Sequence, residues 1–106
     1  MASGLNDLGR FAEPALLILV ALADGPKHGY AIMTEAERIS GSPLGPGTLY
    51  AALGRLERRG LIEPMARESR RRPYRLTGAG ASILEEQLQE LERFARTGLT
   101  RLASQR

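Results

Sequence analysis

Apolar residues along this chain recur first as an unbroken run, then at helical spacing, then briefly at strand spacing, and last as a heptad seam. The unbroken run over residues 15–23 follows Pro14, a good first-turn residue, and stops at Asp24-Gly25-Pro26-Lys27, which reads as a turn. It predicts a helix that is apolar nearly all round, carrying Leu16, Leu17, Ile18, Leu19, Val20 and Leu22. Such a helix needs cover on more than one side. Residues 1–12 have little pattern and are expected to be loosely attached. A second helix is predicted from about His28 to Ile39, with Tyr30, Ile32, Met33, Ala36 and Ile39 available to pack. Ser40-Gly41-Ser42-Pro43 breaks it.

Residues 44–60, LGPGTLYAALGRLERRG, predict a third helix with a sharp start and a sharp stop. Pro46 suits the first helical position, where its missing N–H has no partner to lose. Gly60 suits the stop, where a left-handed conformation commonly ends a helix. Leu49, Ala52, Leu53 and Leu56 recur at spacings of three and four and form one apolar face, which is core. The opposite face offers Thr48, Tyr50, Ala51, Arg55, Arg58 and Arg59. A helix that is apolar behind and donor-bearing in front suits a DNA major groove. The two helices and the break between them have the form of a helix-turn-helix.

After Gly60 the period shortens. Residues 61–66 and 72–76 flank an arginine-rich tip at about 67–71, which predicts a two-stranded hairpin, a wing. Pro64 and Pro73 cannot donate to a ladder, so both are expected at strand edges or ends. Thr77 is the expected N-cap of a last helix running to about Ser104. Leu84, Leu88, Leu91, Ala95, Gly98 and Leu102 fall on an a/d seam along it. At 1.5 Å per residue this rod is roughly 40 Å long, too long to fold fully onto so small a headpiece. Its seam therefore calls for a second copy, meeting the same helix and the apolar first helix of the partner. The expected dimer residues are Leu16, Leu19, Val20, Leu84, Leu88, Leu91, Ala95 and Leu102.

Composition narrows the chemistry. At 106 residues, with 42% hydrophobic and 25% charged, the chain has the balance of one soluble globular unit. We read residues 1–76 as a winged-helix headpiece and 77–106 as a dimerisation helix, so the fold class is mainly α with a small β-hairpin. With no cysteine and one histidine, a disulfide, a thiolate metal site and a histidine cluster are excluded, and no cofactor is expected. The longest apolar run is too short for a bilayer span, so no membrane partner and a cytoplasmic location are expected. Net charge is +3, yet residues 55–75 hold eight arginines against three glutamates, an excess of +5. The rest of the chain then sums to −2, so the basic footprint is concentrated in one window, as a polyanion partner requires.

The ordered motifs resemble the PadR family of bacterial transcription regulators over nearly the whole chain. They are His28-Gly29-Tyr30, then Leu44-Gly45-Pro46-Gly47-Thr48-Leu49-Tyr50, then Leu53, Leu56, Glu57, Gly60, Leu61 and Ile62, and last Arg72, Tyr74, Leu76, Thr77 and Gly80. The single short terminal helix is similar to the family's smaller subgroup. The resemblance implies a winged-helix homodimer that represses promoters and is often released by a small molecule. Some multidrug-sensing relatives stack planar compounds on a tryptophan of the terminal helix. This chain has no tryptophan; Leu91 stands at that position and Phe94 is the nearby aromatic. Stacking of a flat drug is therefore not expected, while a small apolar effector at Leu91 and Phe94, or no effector, remains open.

The expected DNA-contacting residues are Tyr30, Gly45, Pro46, Gly47, Thr48, Tyr50, Arg55, Arg70, Arg71 and Arg72. Gly45 and Gly47 allow close approach at a helix N-terminus, where free N–H groups favour a phosphate. Thr48 and Tyr50 donate hydroxyls, and Tyr30 is placed for a phosphate by the resemblance. The three successive arginines would follow phosphates or enter the minor groove, and Arg55 is a candidate for guanine. His28 is expected to hydrogen-bond at a helix start. An acidic protein is the competing partner for the same basic face. Catalysis is not expected, because no phosphate-binding glycine signature, cysteine nucleophile or carboxylate–histidine constellation is present.

Overall fold

A computed structural model describes residues 12–105; the expectation of a loosely attached N-terminus falls on 1–12 and so lies almost wholly outside them. The elements in chain order are α1 (Ala12–Ala21), β1 (Lys27–His28), α2 (Gly29–Ser40), α3 (Pro46–Arg58), β2 (Ile62–Pro64), β3 (Pro73–Leu76) and α4 (Gly78–Ala103). α2, α3 and the sheet form a winged helix, α1 lies behind them, and α4 extends away, giving a shape of 57 × 30 × 24 Å.

Local chemistry explains where the helices stop. α2 ends at Gly41, whose left-handed φ of 72° lets its N–H bond to the Glu37 carbonyl at 2.8 Å. α3 starts with Pro46 at its first position and ends in a Schellman turn. There the Leu61 N–H donates to the Leu56 carbonyl at 3.0 Å and the Gly60 N–H to that of Glu57 at 2.9 Å, with Gly60 at φ 74°. Thr77 caps α4 by accepting the Gly80 N–H at 3.0 Å and donates its own hydroxyl to the Gly60 carbonyl at 2.6 Å. One hydroxyl thus ties the end of α3 to the start of α4.

The wing differs from the two-stranded expectation. β3 is central in a three-stranded antiparallel sheet of order β1-β3-β2. Lys27 and His28, read from sequence as a turn and a helix start, pair with Tyr74 and Pro73. A two-residue strand leaves no alternation to detect. Both prolines sit at strand ends: Pro64 closes edge strand β2 and Pro73 opens β3, its carbonyl accepting the Met65 N–H at 2.8 Å. At the tip, Glu68 and Arg71 exchange backbone hydrogen bonds around Ser69-Arg70, with Ser69 at φ 58°.

The core joins α1 to α2, α3, the sheet and the first turns of α4. Leu49, Ala52, Leu53 and Leu56 are all buried in it. Two residues expected at the dimer interface are spent here instead. Leu19 is 0% exposed and Leu84 5% exposed within a single chain, so neither presents surface to a partner. The reason is that the Leu19 side of α1 is covered by its own domain and the first turns of α4 pack on the same core, burying Leu84 on the headpiece. Leu16, Leu17 and Val20 are only partly buried on that core, whereas Leu88, Leu91, Phe94, Leu99 and Leu102 stand exposed along α4. Two residues expected to pack from α2 do not: Tyr30 and Ile39 both face solvent.

Candidate nucleic-acid interface

The start of α2, the first half of α3 and the wing enclose an open cleft of about 360 Å³. Three tyrosines and four arginines line it: Tyr30, Tyr50 and Tyr74, with Arg67, Arg70, Arg71 and Arg72. Each arrives by a simple local rule. Tyr30 projects outward from the first turn of α2 and is 74% exposed, which removes the reading of it as a packed aromatic. Tyr50 flanks the outer face of α3, opposite its buried leucines. Arg72 and Tyr74 fall two residues apart, on the same face of the chain as it enters β3, while Arg75 points to the other face and pairs with Glu63 at 2.6 Å. Burial pushes the Tyr74 phenol above its ordinary range, aided by the negative charge of Glu57, so it is a neutral hydroxyl donor.

Backbone proximity builds the rest of the wall. A Cβ on Gly29 would meet the Tyr50 hydroxyl at 2.8 Å and its ring at 3.3 Å, so the tyrosine lies directly over the start of α2. His28 lies at the base, with Nε2 3.4 Å from a Glu68 carboxylate oxygen at the wing tip and Nδ1 buried without a partner. Its side chain does not cap α2, which corrects the helix-start expectation. Elsewhere, Arg38 is held by the carboxylate of Glu35 at 2.6 Å and Arg75 by that of Glu63. Among the described residues none of Arg67, Arg70, Arg71 and Arg72 has such a partner. Four uncompensated guanidiniums beside phenol hydroxyls form a surface suited to the oxygens of a phosphate chain.

Gly45, Pro46, Gly47 and Thr48 lie exposed at the start of α3, where Gly45 makes no side-chain cap and the first N–H groups point outward. Arg55 is exposed two turns beyond Thr48, outside the cleft. The structure therefore gathers Tyr30, Tyr50, Arg70, Arg71 and Arg72 into one place and sets the 45–48 segment apart from it. It adds Arg67, Tyr74, His28 and Gly29, which were not expected at the interface from sequence. The alternation of Arg72 and Tyr74 and the place of Arg67 in the basic run were the available signals. On α4, Leu91 and Phe94 are exposed, Phe94 at 78%, and an open groove of about 430 Å³ along the helix is lined in part by Phe94. Among the described residues no group of three or more acidic or histidine side chains could hold a metal ion. No helix there is long and apolar enough to cross a membrane.

A helix-turn-helix with an arginine-bearing wing defines a DNA-binding regulator of transcription. Similarity to known proteins gives the family: residues 18–86 match the transcriptional regulator PadR-like family, and the chain belongs to it. It is 43% identical over 88 residues to the transcriptional regulator Rv3488 of Mycobacterium tuberculosis, covering 80% of this chain and 81% of that protein. It is 46% identical over 86 residues to an uncharacterised 37.1 kDa protein of transposon TN4556 from Streptomyces fradiae. There the match covers 81% of this chain and only 25% of the relative, so the chain spans a quarter of that protein's length. Among solved structures, a PadR-like transcription factor from Bacteroides fragilis superposes with a TM-score of 0.76 at 26% identity, over 89% of this chain and 94% of that one. A PadR family regulator from Clostridium difficile gives 0.70 at 30% identity, over 84% and 96%. Members of this family are transcriptional regulators and not enzymes.

Proposed function

We propose that the chain is a homodimeric repressor that sets two copies of α3 into major grooves of an inverted-repeat operator. The cleft of unpaired arginines and tyrosines beside the exposed start of α3 carries this reading. In it Gly45, Pro46, Gly47 and Thr48 approach the groove, and Tyr30, Tyr50, Arg70, Arg71 and Arg72 hold the flanking phosphates. Arg55, further along α3, reaches a base or the backbone. Half-site centres then lie about 10 bp or a small multiple apart.

The second copy is supported by α4. Its apolar line of Leu88, Leu91, Ala95 and Leu102 is exposed, and partly buried Leu16 and Val20 of α1 extend the same kind of surface. Charge along α4 is segregated: Glu85, Glu86, Glu90 and Glu92 precede Arg93, Arg96 and Arg101. Antiparallel rods bring opposite charges together, whereas parallel rods set like against like. A small apolar effector bound between the rods, at Leu91 and Phe94, would change the spacing of the headpieces and release the operator. Selection of bound sequences from random duplex DNA tests the whole reading. An enriched palindrome is expected; a bound pool with no enriched sequence would reject it.

A further inference from the structure

We infer that Glu37 is a positioning residue that fixes where the start of α3 stands relative to α2, and so how sharply the protein distinguishes DNA sequences. The inference rests on the DNA-reading function proposed above. Glu37 holds both ends of the turn between the two helices. Its backbone carbonyl accepts the Gly41 N–H at 2.8 Å, where the chain leaves α2, and its Oε2 accepts the Leu44 N–H at 2.7 Å, just before α3 begins. Leu44 is itself anchored, 8% exposed, with its side chain in the core.

The neighbouring groups do not perform this task. Ser40 and Ser42 bond to each other within the turn, 3.1 Å from the Ser42 N–H to the Ser40 hydroxyl, and do not reach α3. Gly45, the N-cap of α3, has no side chain to fix the helix start. The buried face of Leu49, Ala52, Leu53 and Leu56 decides which side of α3 turns inward, but apolar packing is non-directional. A hydrogen bond from an N–H to a carboxylate is short and directional, so it can set the height of α3 along α2. A carboxylate here also repels the phosphates that this end of α3 is to meet, so for affinity alone a neutral acceptor would serve better. Charge and hydrogen bonding therefore make opposite predictions, which separates them.

The test compares the full chain with Glu37→Gln, Glu37→Leu and Glu37→Asp, measuring affinity for the selected operator and for a scrambled duplex at one salt concentration. Glu37→Gln keeps an acceptor and is expected to hold the wild-type ratio while binding both duplexes more tightly. Glu37→Leu is expected to lose roughly tenfold in that ratio, the size of one charge-assisted hydrogen bond. Amide hydrogen exchange at Leu44 should quicken in the same variant and not in Glu37→Gln. If Glu37→Leu does not fold, Glu37→Asp, whose carboxylate falls one bond short, carries the same expectation. A wild-type ratio in Leu or Asp, or equal losses in Gln and Leu, would overturn the inference alone. A wild-type protein that enriches no sequence would instead sink the DNA reading and this inference together.

Discussion

Gly80 lies against the carbonyl of Leu61 so closely that a Cβ on it would fall 1.9 Å from the carbonyl oxygen. Glycine in the first turn of a helix normally weakens it, and here it is what allows α4 to dock on the end of α3. The same carbonyl accepts the Thr77 N–H at 3.2 Å, so it cannot move aside without breaking a second contact.

Gly80→Ala should therefore destabilise the protein by more than about 3 kcal/mol, because backbone cannot yield as a flexible side chain does. Thermal unfolding followed by circular dichroism reads this as a large fall in Tm. An unchanged Tm would mean the helix docks with more room than the structure gives it.

Gly29→Ala makes a contrast. The atom it would strike is the free end of Tyr50, an exposed side chain that can swing away. Stability should change by less than about 1 kcal/mol, while DNA affinity falls because Tyr50 leaves the cleft. Equal affinity for wild type and variant would remove Tyr50 from the contact.

Arg70→Ala combined with Arg71→Ala should weaken binding to every duplex alike. It should also reduce the slope of log K against log salt by about 1.8, roughly 0.9 for each phosphate that is no longer neutralised. Fluorescence anisotropy across a salt series measures the slope, and a slope equal to the wild type's would rule the wing out as a phosphate-binding element.

Thr48→Ala stands on the other side of the site. It should lower affinity for the selected operator more than for a scrambled duplex and leave Tm unchanged, since Thr48 is exposed at the start of α3. Undiminished operator affinity would exclude Thr48 from base contact.

Leu88→Glu with Leu91→Glu places two charges on the exposed line of α4. Sedimentation should then report a monomer for the variant and a dimer for the parent chain, with Tm of the headpiece retained. A parent chain that sediments as a monomer at micromolar concentration would end the dimer proposal.

Much of this architecture could be read from one chain. Pro46 acts through its own fixed φ and missing N–H, and Gly41, Gly60 and Thr77 through partners three to seventeen residues away, all at the helix ends they were expected to mark. The four buried residues of α3 likewise follow from helical spacing alone, because periodicity needs no knowledge of what covers the face. The site was half visible: the basic run announced the wing, but nothing local ties residue 30 to residue 72.

What the sequence determined, then, was the set of helices, their limits and the concentration of positive charge, since these depend on neighbours along the chain. Tertiary structure alone decided that Lys27 and His28 join the sheet beside β3, that Leu19 and Leu84 turn inward rather than toward a partner, and that Tyr74 and Arg67 share a cleft with Tyr30 and Tyr50. Those outcomes come from pairing and packing between segments far apart in the chain, where a residue's fate is set by the surface it meets and not by its own pattern.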